Sequence, residues 1–405
     1  MSSIAIFPCT FTPAHTVANA LAKALDIKLY EDSDLLAETS QKYGTSIEKL
    51  QQAMHGKTSV FNQFTLEKEK MLNHLRSVLA EKLEQPDRYM FYGFMTALIS
   101  QEVSHVLKVL LVGTRQTRIA AAITTGLTEK EAKKAVRSDD VKAYGLTDFL
   151  YKKEAYDSSL YDLVVPVELK SDDDLVDIVF QYFHKISILR TAQSQQAVQD
   201  MKLETMVESS LLLAGHKIAV SAHTGEIVLK VQKSVLNFDK LVSGLTSIVS
   251  QVDGVTGVDV KKSKDYNDSI YRQQNFDLPS KVLFVDDEKD FVQTVSERLI
   301  SRDVGTYGVF NGEQALSVIE EDRPDVMVLD LKMPGLHGVE VLRQTKRVAP
   351  EVEVIILTGH GSSQDMLECM ELGAFAYMNK PVDIEELSAT IKAAYKKVSE
   401  VSEDN

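Results

Sequence analysis

Four short apolar runs in the last third of the chain each end on a residue able to do chemistry, and few folds accept that pattern. Lys281–Val285 (KVLFV) stops at Asp286-Asp287, and Val326–Leu329 (VMVL) stops at Asp330. Val354–Leu357 (VIIL) stops at Thr358, and Ala376–Met378 is followed by Asn379-Lys380-Pro381. Continuous apolar runs of four or five residues are expected of strands buried on both faces, as in a parallel sheet covered by helices. The intervening segments Phe291–Ile300, Gly312–Glu321, Gly338–Arg347, Ser362–Leu372 and Asp383–Val398 carry helical spacing, and Asp383 with Glu386 is spaced as a capping box. The polar residues then gather at the carboxyl edge of the sheet, where open α/β folds bind ligands.

Three carboxylates converging on that edge repel one another unless a cation neutralises them. A hard, oxygen-seeking ion such as Mg²⁺ suits such a site and can also engage a phosphoryl oxygen. One carboxylate can act as a nucleophile and become an aspartyl phosphate. A lysine offers the transferred group a point positive charge, and a threonine hydroxyl offers it a hydrogen bond.

In these residues the block from about Ser280 to Glu400 resembles the receiver family of chemotaxis-type response regulators, a flavodoxin-like (βα)5 fold. The resemblance implies Asp330 as phosphoacceptor, Asp286 and Asp287 as the acidic metal pair, and the backbone carbonyl of Lys332 as a further metal ligand. It makes Thr358 the switch hydroxyl, Tyr377 the switch aromatic and Lys380 the lysine at the phosphoryl group, with Lys380-Pro381 cis. It also implies a histidine kinase or phosphotransfer protein as donor.

Residues 1–185 alternate apolar strands (Ile4–Phe7, Val109–Val112) with amphipathic helices (Val17–Leu25, Leu66–Leu83), the grammar of a parallel α/β sheet. Collinear stretches resemble the cytidylate kinase-like family of P-loop proteins: VANALAKALDIKLYE at Val17–Glu31, Val109–Gly126 with Arg118, LTEKEAKKAVRSDDVK at Leu127–Lys142, and YDLVV at Tyr161–Val165. The departures fall on the chemistry. Phe11, Pro13 and Ala14 stand where that family has glycines, and His15 where it has a basic residue. Lys142 replaces an arginine and Pro166 an asparagine, whereas Arg118 and Asp139 remain. A phosphate loop works through backbone N–H groups that glycines leave open; Pro13 has none and Phe11 obstructs the approach. A kinase-shaped pseudoenzyme is the expectation; the alternative is a receiver-gated, CMP-type nucleotide kinase with an atypical phosphate loop. Arg115 and Arg118 read as a solvated pair able to hold a phosphate, His15, His55 and His105 as surface or capping residues, and Tyr89–Phe94 as core.

Residues 186–262 change grammar: a helix over Thr191–Ala214, two strands in Lys217–Val231 around a turn at Gly225, a helix over Phe238–Val252 and a strand at Val255–Val260. This small α+β unit resembles a BON-type domain, a family of binding and assembly rather than catalysis; a structural connector fits the same residues. Residues 263–279 are polar and aperiodic and read as a linker.

The formal net charge of −14 argues against broad nucleic-acid binding, and no helix-turn-helix stands outside the assigned blocks, so no DNA output is expected. The two cysteines, Cys9 and Cys369, form neither a disulfide framework nor a metal spacing. Apolar runs such as Val106–Val112 fall far short of the ~20 residues that span a bilayer, and the start Met1-Ser-Ser-Ile lacks a signal-peptide pattern. A cytoplasmic signalling protein without membrane segments is expected, its output reaching a partner protein or its own amino-terminal blocks. The oligomeric state is left open.

Overall fold

The computed structural model describes residues 2–56, 58–184, 188–235, 237–270, 281–302, 304–359 and 363–403. Two compact units emerge: Met1–Thr58 with Glu67–Tyr271, and Ser59–Leu66 with Arg272–Asn405.

The first unit begins with β1 (Ser3–Phe7), α1 (Ala14–Ala24), β2 (Lys28–Glu31), α2 (Asp32–Tyr43) and α3 (Ile47–His55). The short α4 (Asn62–Thr65) lies in the segment assigned to the second unit. There follow α5 (Glu67–Glu84), β3 (Tyr89–Tyr92), β4 (Val106–Val112), α6 (Arg115–Thr124), α7 (Glu129–Tyr151), β5 (Leu163–Pro166) and α8 (Asp172–Phe183). The five strands form a parallel sheet in the order β2-β3-β1-β4-β5. Every residue of β1 is buried, so its alternate side chains feed helices on both faces. Reciprocal capping boxes fix two helix starts, Thr128 with Glu131 at α7 and Ser171 with Asp174 at α8, each satisfying orphan backbone donors.

Tyr89–Phe94, expected only as core, supplies strand β3, with Tyr89, Met90 and Phe91 buried. Its run of aromatics shows neither alternation nor helical spacing, which is why the sequence did not mark it as a strand.

The rest of this unit is α9 (Ala192–Leu213), β6 (Ala219–His223), β7 (Glu226–Ser234), α10 (Phe238–Val249) and β8 (Gly257–Ile270). The α-β-β-α-β order is the one expected. β6 and β7 pair antiparallel across a turn in which Thr224 (φ 49°) and Gly225 (φ 91°) both take left-handed backbone, and β7 pairs parallel with β8. β8 runs on through Ser263–Ile270, where the linker was expected to have begun. Main-chain pairing such as Lys233 with Asn267 holds it, and that requires no hydrophobic pattern. The remainder of the expected linker, 271–279, lies outside the described residues.

The second unit contains β9 (Val282–Val285), α11 (Lys289–Ile300), β10 (Thr306–Val309), α12 (Gly312–Glu321), β11 (Val326–Leu329), α13 (Gly338–Val348), β12 (Glu353–Thr358), α14 (Ser363–Glu371), β13 (Ala376–Asn379) and α15 (Ile384–Glu403). All strand pairs are parallel, in the order β10-β9-β11-β12-β13, the doubly wound flavodoxin-like order. Leu283, Met327, Leu329 and Ile356 pack with α12–α14, while Val282, Phe284, Val328 and Ile355 pack with α11 and α15. Burial on both faces explains the continuous apolar runs. Asp383 opens α15 by accepting hydrogen bonds from the N–H groups of Glu385 (2.8 Å) and Glu386 (3.1 Å). Among the described residues no helix is long and apolar enough to cross a membrane.

Candidate functional site

Parallel register brings the carboxyl ends of β9, β11, β12 and β13 to one edge. Asp286 follows β9, its N–H donating to Val309 O (3.1 Å); Asp330 follows β11 and donates to Val285 O (2.9 Å). Thr358 closes β12, and its carbonyl accepts from the Lys380 N–H at 2.9 Å. Asp286, Asp287 and Asp330 can each present a carboxylate oxygen within 4.8 Å of the others. Asp286 and Asp330 are buried, and Asp287 is half-buried.

Lys380 Nζ lies 2.6 Å from Asp286 Oδ2, 3.4 Å from Asp330 Oδ2 and 3.3 Å from Glu288 Oε1, and sits over the Phe291 ring. Burial pushes the Asp286 carboxyl upward, against the pull of the Lys380 ammonium. Burial would lower the Lys380 ammonium, but its hydrogen bond and charge pairing with Asp286 outweigh that and hold it above its ordinary value. Asp286 Oδ1 accepts from the Glu288 N–H at 3.0 Å. The buried Oδ2 faces the Lys380 ammonium at 2.6 Å. Three carboxylates that can each present an oxygen at this spacing fit a hard divalent cation.

Residues 282–392 match the model of the response regulator receiver domain. These residues are a receiver domain. The receiver makes the chain a two-component response regulator. Sporulation initiation phosphotransferase F of Bacillus subtilis is 36% identical over 115 residues, which cover 28% of this chain and 93% of that protein. Among solved structures, a response regulator receiver domain protein from Clostridium thermocellum is 33% identical (30% of this chain, 98% of that chain, TM-score 0.29). The Francisella response regulator 1452 receiver domain is 32% identical (29% and 97%, TM-score 0.28). Residues 4–168 match the cytidylate kinase-like family.

Around the receiver's acidic edge, the Lys332 N–H donates to Asp330 Oδ1 at 3.4 Å, and Lys380-Pro381 is cis. Thr358 is fully buried. The Tyr377 hydroxyl is buried without a hydrogen bond, and that burial raises it. Two neighbours escaped the sequence reading. Glu288, third in the Asp-Asp-Glu run, is a further carboxylate on Lys380. Gly338 packs so close that a Cβ there would fall 2.3 Å from the Asp330 carbonyl oxygen.

In the cytidylate kinase-like block, the loop between β1 and α1 turns inward on itself. Phe11 takes left-handed backbone (φ 58°), and Thr12 Oγ1 donates to the Cys9 carbonyl at 2.6 Å. Arg118, expected as half of a solvated pair, is instead buried. Its Nε donates to Thr10 O (2.8 Å), one terminal nitrogen to Thr10 Oγ1 (3.0 Å) and the other to Asp140 Oδ1 (2.7 Å). The guanidinium is thus spent on the loop's own carbonyl, hydroxyl and a neighbouring carboxylate, where a phosphate cradle would present N–H groups outward. Lys142 pairs with Asp139 at 3.2 Å, and the exposed His15 with Glu31 at 3.1 Å.

The expectation of a surface or capping role fails for His105, whereas His55 stands in the last turn of α3. His55 is half-buried, 3.9 Å from Asp32. His105 is buried just before β4, its Nδ1 3.0 Å from Ser194 Oγ of α9, a long-range partner that local sequence does not announce.

Proposed function

We propose that Asp330 accepts a phosphoryl group from a partner histidine kinase or phosphotransfer protein, and that the chain signals through protein contacts. The observation that carries this reading is the meeting of Asp286, Asp287 and Asp330 with the Lys380 ammonium at one sheet edge. A carboxylate oxygen of Asp330 attacks phosphorus, the P–O bond forms as the bond to the donor's imidazole nitrogen breaks, and that nitrogen leaves with the electron pair. Lys380 exchanges part of its pairing with Asp286 for the transferred oxygens, and the Thr358 hydroxyl donates to them. Asp286, Asp287, Asp330 and the Lys332 carbonyl would hold Mg²⁺, which supplies neutralising charge to the acidic cluster and the phosphoryl oxygens.

Thr358 and Tyr377 report the new charge to the face made by α14, β13 and α15. The exposed Met366, Leu367 and Met370 on α14 give that face an apolar surface for a protein partner or the chain's own amino-terminal blocks. Residues 1–185 form the kinase-shaped domain, read as a scaffold without phosphotransfer because the Thr10–Arg118–Asp140 bonding occupies the groups a nucleotide phosphate would need. Residues 186–262 are an assembly module, and 280–400 the receiver. The setting is cytoplasmic, with no DNA contact.

Mass analysis after treatment with acetyl phosphate and Mg²⁺ tests the assignment. The wild type gains one phosphate and Asp330→Asn gains none; equal gain by both would remove Asp330 from its role.

A further inference from the structure

Ser59–Leu66 interrupts the first unit in sequence but folds with the receiver. Phe61 is fully buried there, in the apolar cluster that contains Leu329 and Leu331, the two neighbours of Asp330. Its ring meets Tyr307 of β10 edge-on with centroids 6.1 Å apart. Asp322, just past α12, accepts hydrogen bonds from Ser59 Oγ at 2.6 Å and from the Val60 N–H at 2.8 Å. A receiver-like block has no need of eight residues imported from more than 200 positions upstream, yet here they complete its core.

The chain just before this segment is held inside the first unit. Lys68, buried against the Phe149 ring of α7, donates to Thr58 Oγ1 at 3.2 Å and reaches Gly56 O at 3.5 Å. Gly56 and His55, at the end of α3, line a cavity of about 470 Å³ whose remaining wall is α7, including Lys134, Arg137, Lys142 and Tyr144. The chain therefore passes directly from the wall of that cavity into a segment packed in the receiver's core. Packed cores repack between discrete arrangements and do not stretch.

We propose that the β10–α12 face of the receiver is the docking site for Ser59–Leu66, and that this segment carries the receiver's phosphorylation state to the α3–α7 cavity. The proposal rests on Asp330 being the phosphoacceptor. Coupling of this kind is reciprocal, so a ligand in the cavity also biases phosphorylation.

Hydrogen exchange on the full-length protein tests it, with Mg²⁺ and beryllium fluoride as the phosphoryl mimic, in the wild type, Phe61→Ala and Asp322→Ala. Asp322→Ala spares the apolar core, so the test survives if Phe61→Ala does not fold. In the wild type, beryllium fluoride changes exchange in Ser363–Glu371 of the receiver and, by about fivefold or more, in Ile47–His55 and α7. In either variant the receiver still responds, while the change in Ile47–His55 and α7 is lost. An unaltered response of α3 and α7 in both variants overturns the coupling, as does a wild type whose receiver responds while those helices stay silent. A receiver that does not respond at all rejects the phosphoacceptor reading, and the proposal with it; the Ser363–Glu371 signal tells these failures apart.

Discussion

At the scale of single residues, the acidic edge combines what the strand ends announce with what packing adds. Asp286, Asp330, Thr358 and Lys380 stand at the ends of apolar runs and are legible from the sequence. Gly338 is not, because its requirement comes from the approach of α13 to the Asp330 backbone. Gly338→Ala must push the start of α13 and the Asp330 carbonyl apart, and displacement of a reacting group by about 1 Å can cost about 10²-fold in rate. We expect phosphorylation by acetyl phosphate, followed by mass spectrometry over time, to slow by that order while the protein remains folded. A rate equal to wild type would show that the backbone relaxes around the added methyl. Arg118 is the opposite lesson: its spacing from Arg115 reads as a surface pair, and only the fold turns it onto Thr10 and Asp140.

At the scale of elements, short local signals served well where burial is symmetric and poorly where one strand borrows its neighbours. β9 and β11 are continuous apolar runs, and β12 carries one at Val354–Leu357. β10 (TYGV) went unmarked because its centre is Gly308, where a Cβ would lie 2.5 Å from Val292 of α11; a helix packed that closely forbids the β-branched residue a strand would otherwise carry. His105 links two other elements, β4 and α9, through Ser194. Burial lowers its imidazole to about 4, with the positive charges of Arg190, the chain's amino terminus and Lys108 adding to the effect. The folded state therefore refuses a proton that the unfolded chain binds near 6.5. The resulting stability is fully present above about pH 6.5 and is lost as pH falls from there toward about 4, on the order of 3 kcal/mol in all. Urea unfolding of the wild type and His105→Gln at pH 7, 5.5 and 4.5 checks this. The variant's stability falls less across that range, and parallel decline in both proteins would assign the acid sensitivity to other groups.

At the scale of the whole molecule, the least expected feature is that the receiver's core contains Phe61. Removing a buried phenylalanine side chain costs about 3 kcal/mol or more, so Phe61→Ala should destabilise the second unit by that order although its sequence position lies inside the kinase-like block. Exchange-monitored urea unfolding that follows β9–β12 separately from β1–β5 reads this directly; a shift confined to the first unit would contradict the packing. The sequence by itself determined four of the receiver's five strands, its acidic edge and the absence of glycine from the amino-terminal loop, because each rests on local residue chemistry: apolar runs for burial, carboxylates at their ends, and side chains where glycines would leave the backbone open. Only the tertiary structure decided that Arg118 braces that loop, that His105 answers to Ser194, and that Ser59–Leu66 completes a core more than 200 residues away. Those outcomes depend on which surfaces meet, and apolar patterning tells a residue to be buried without telling it against what.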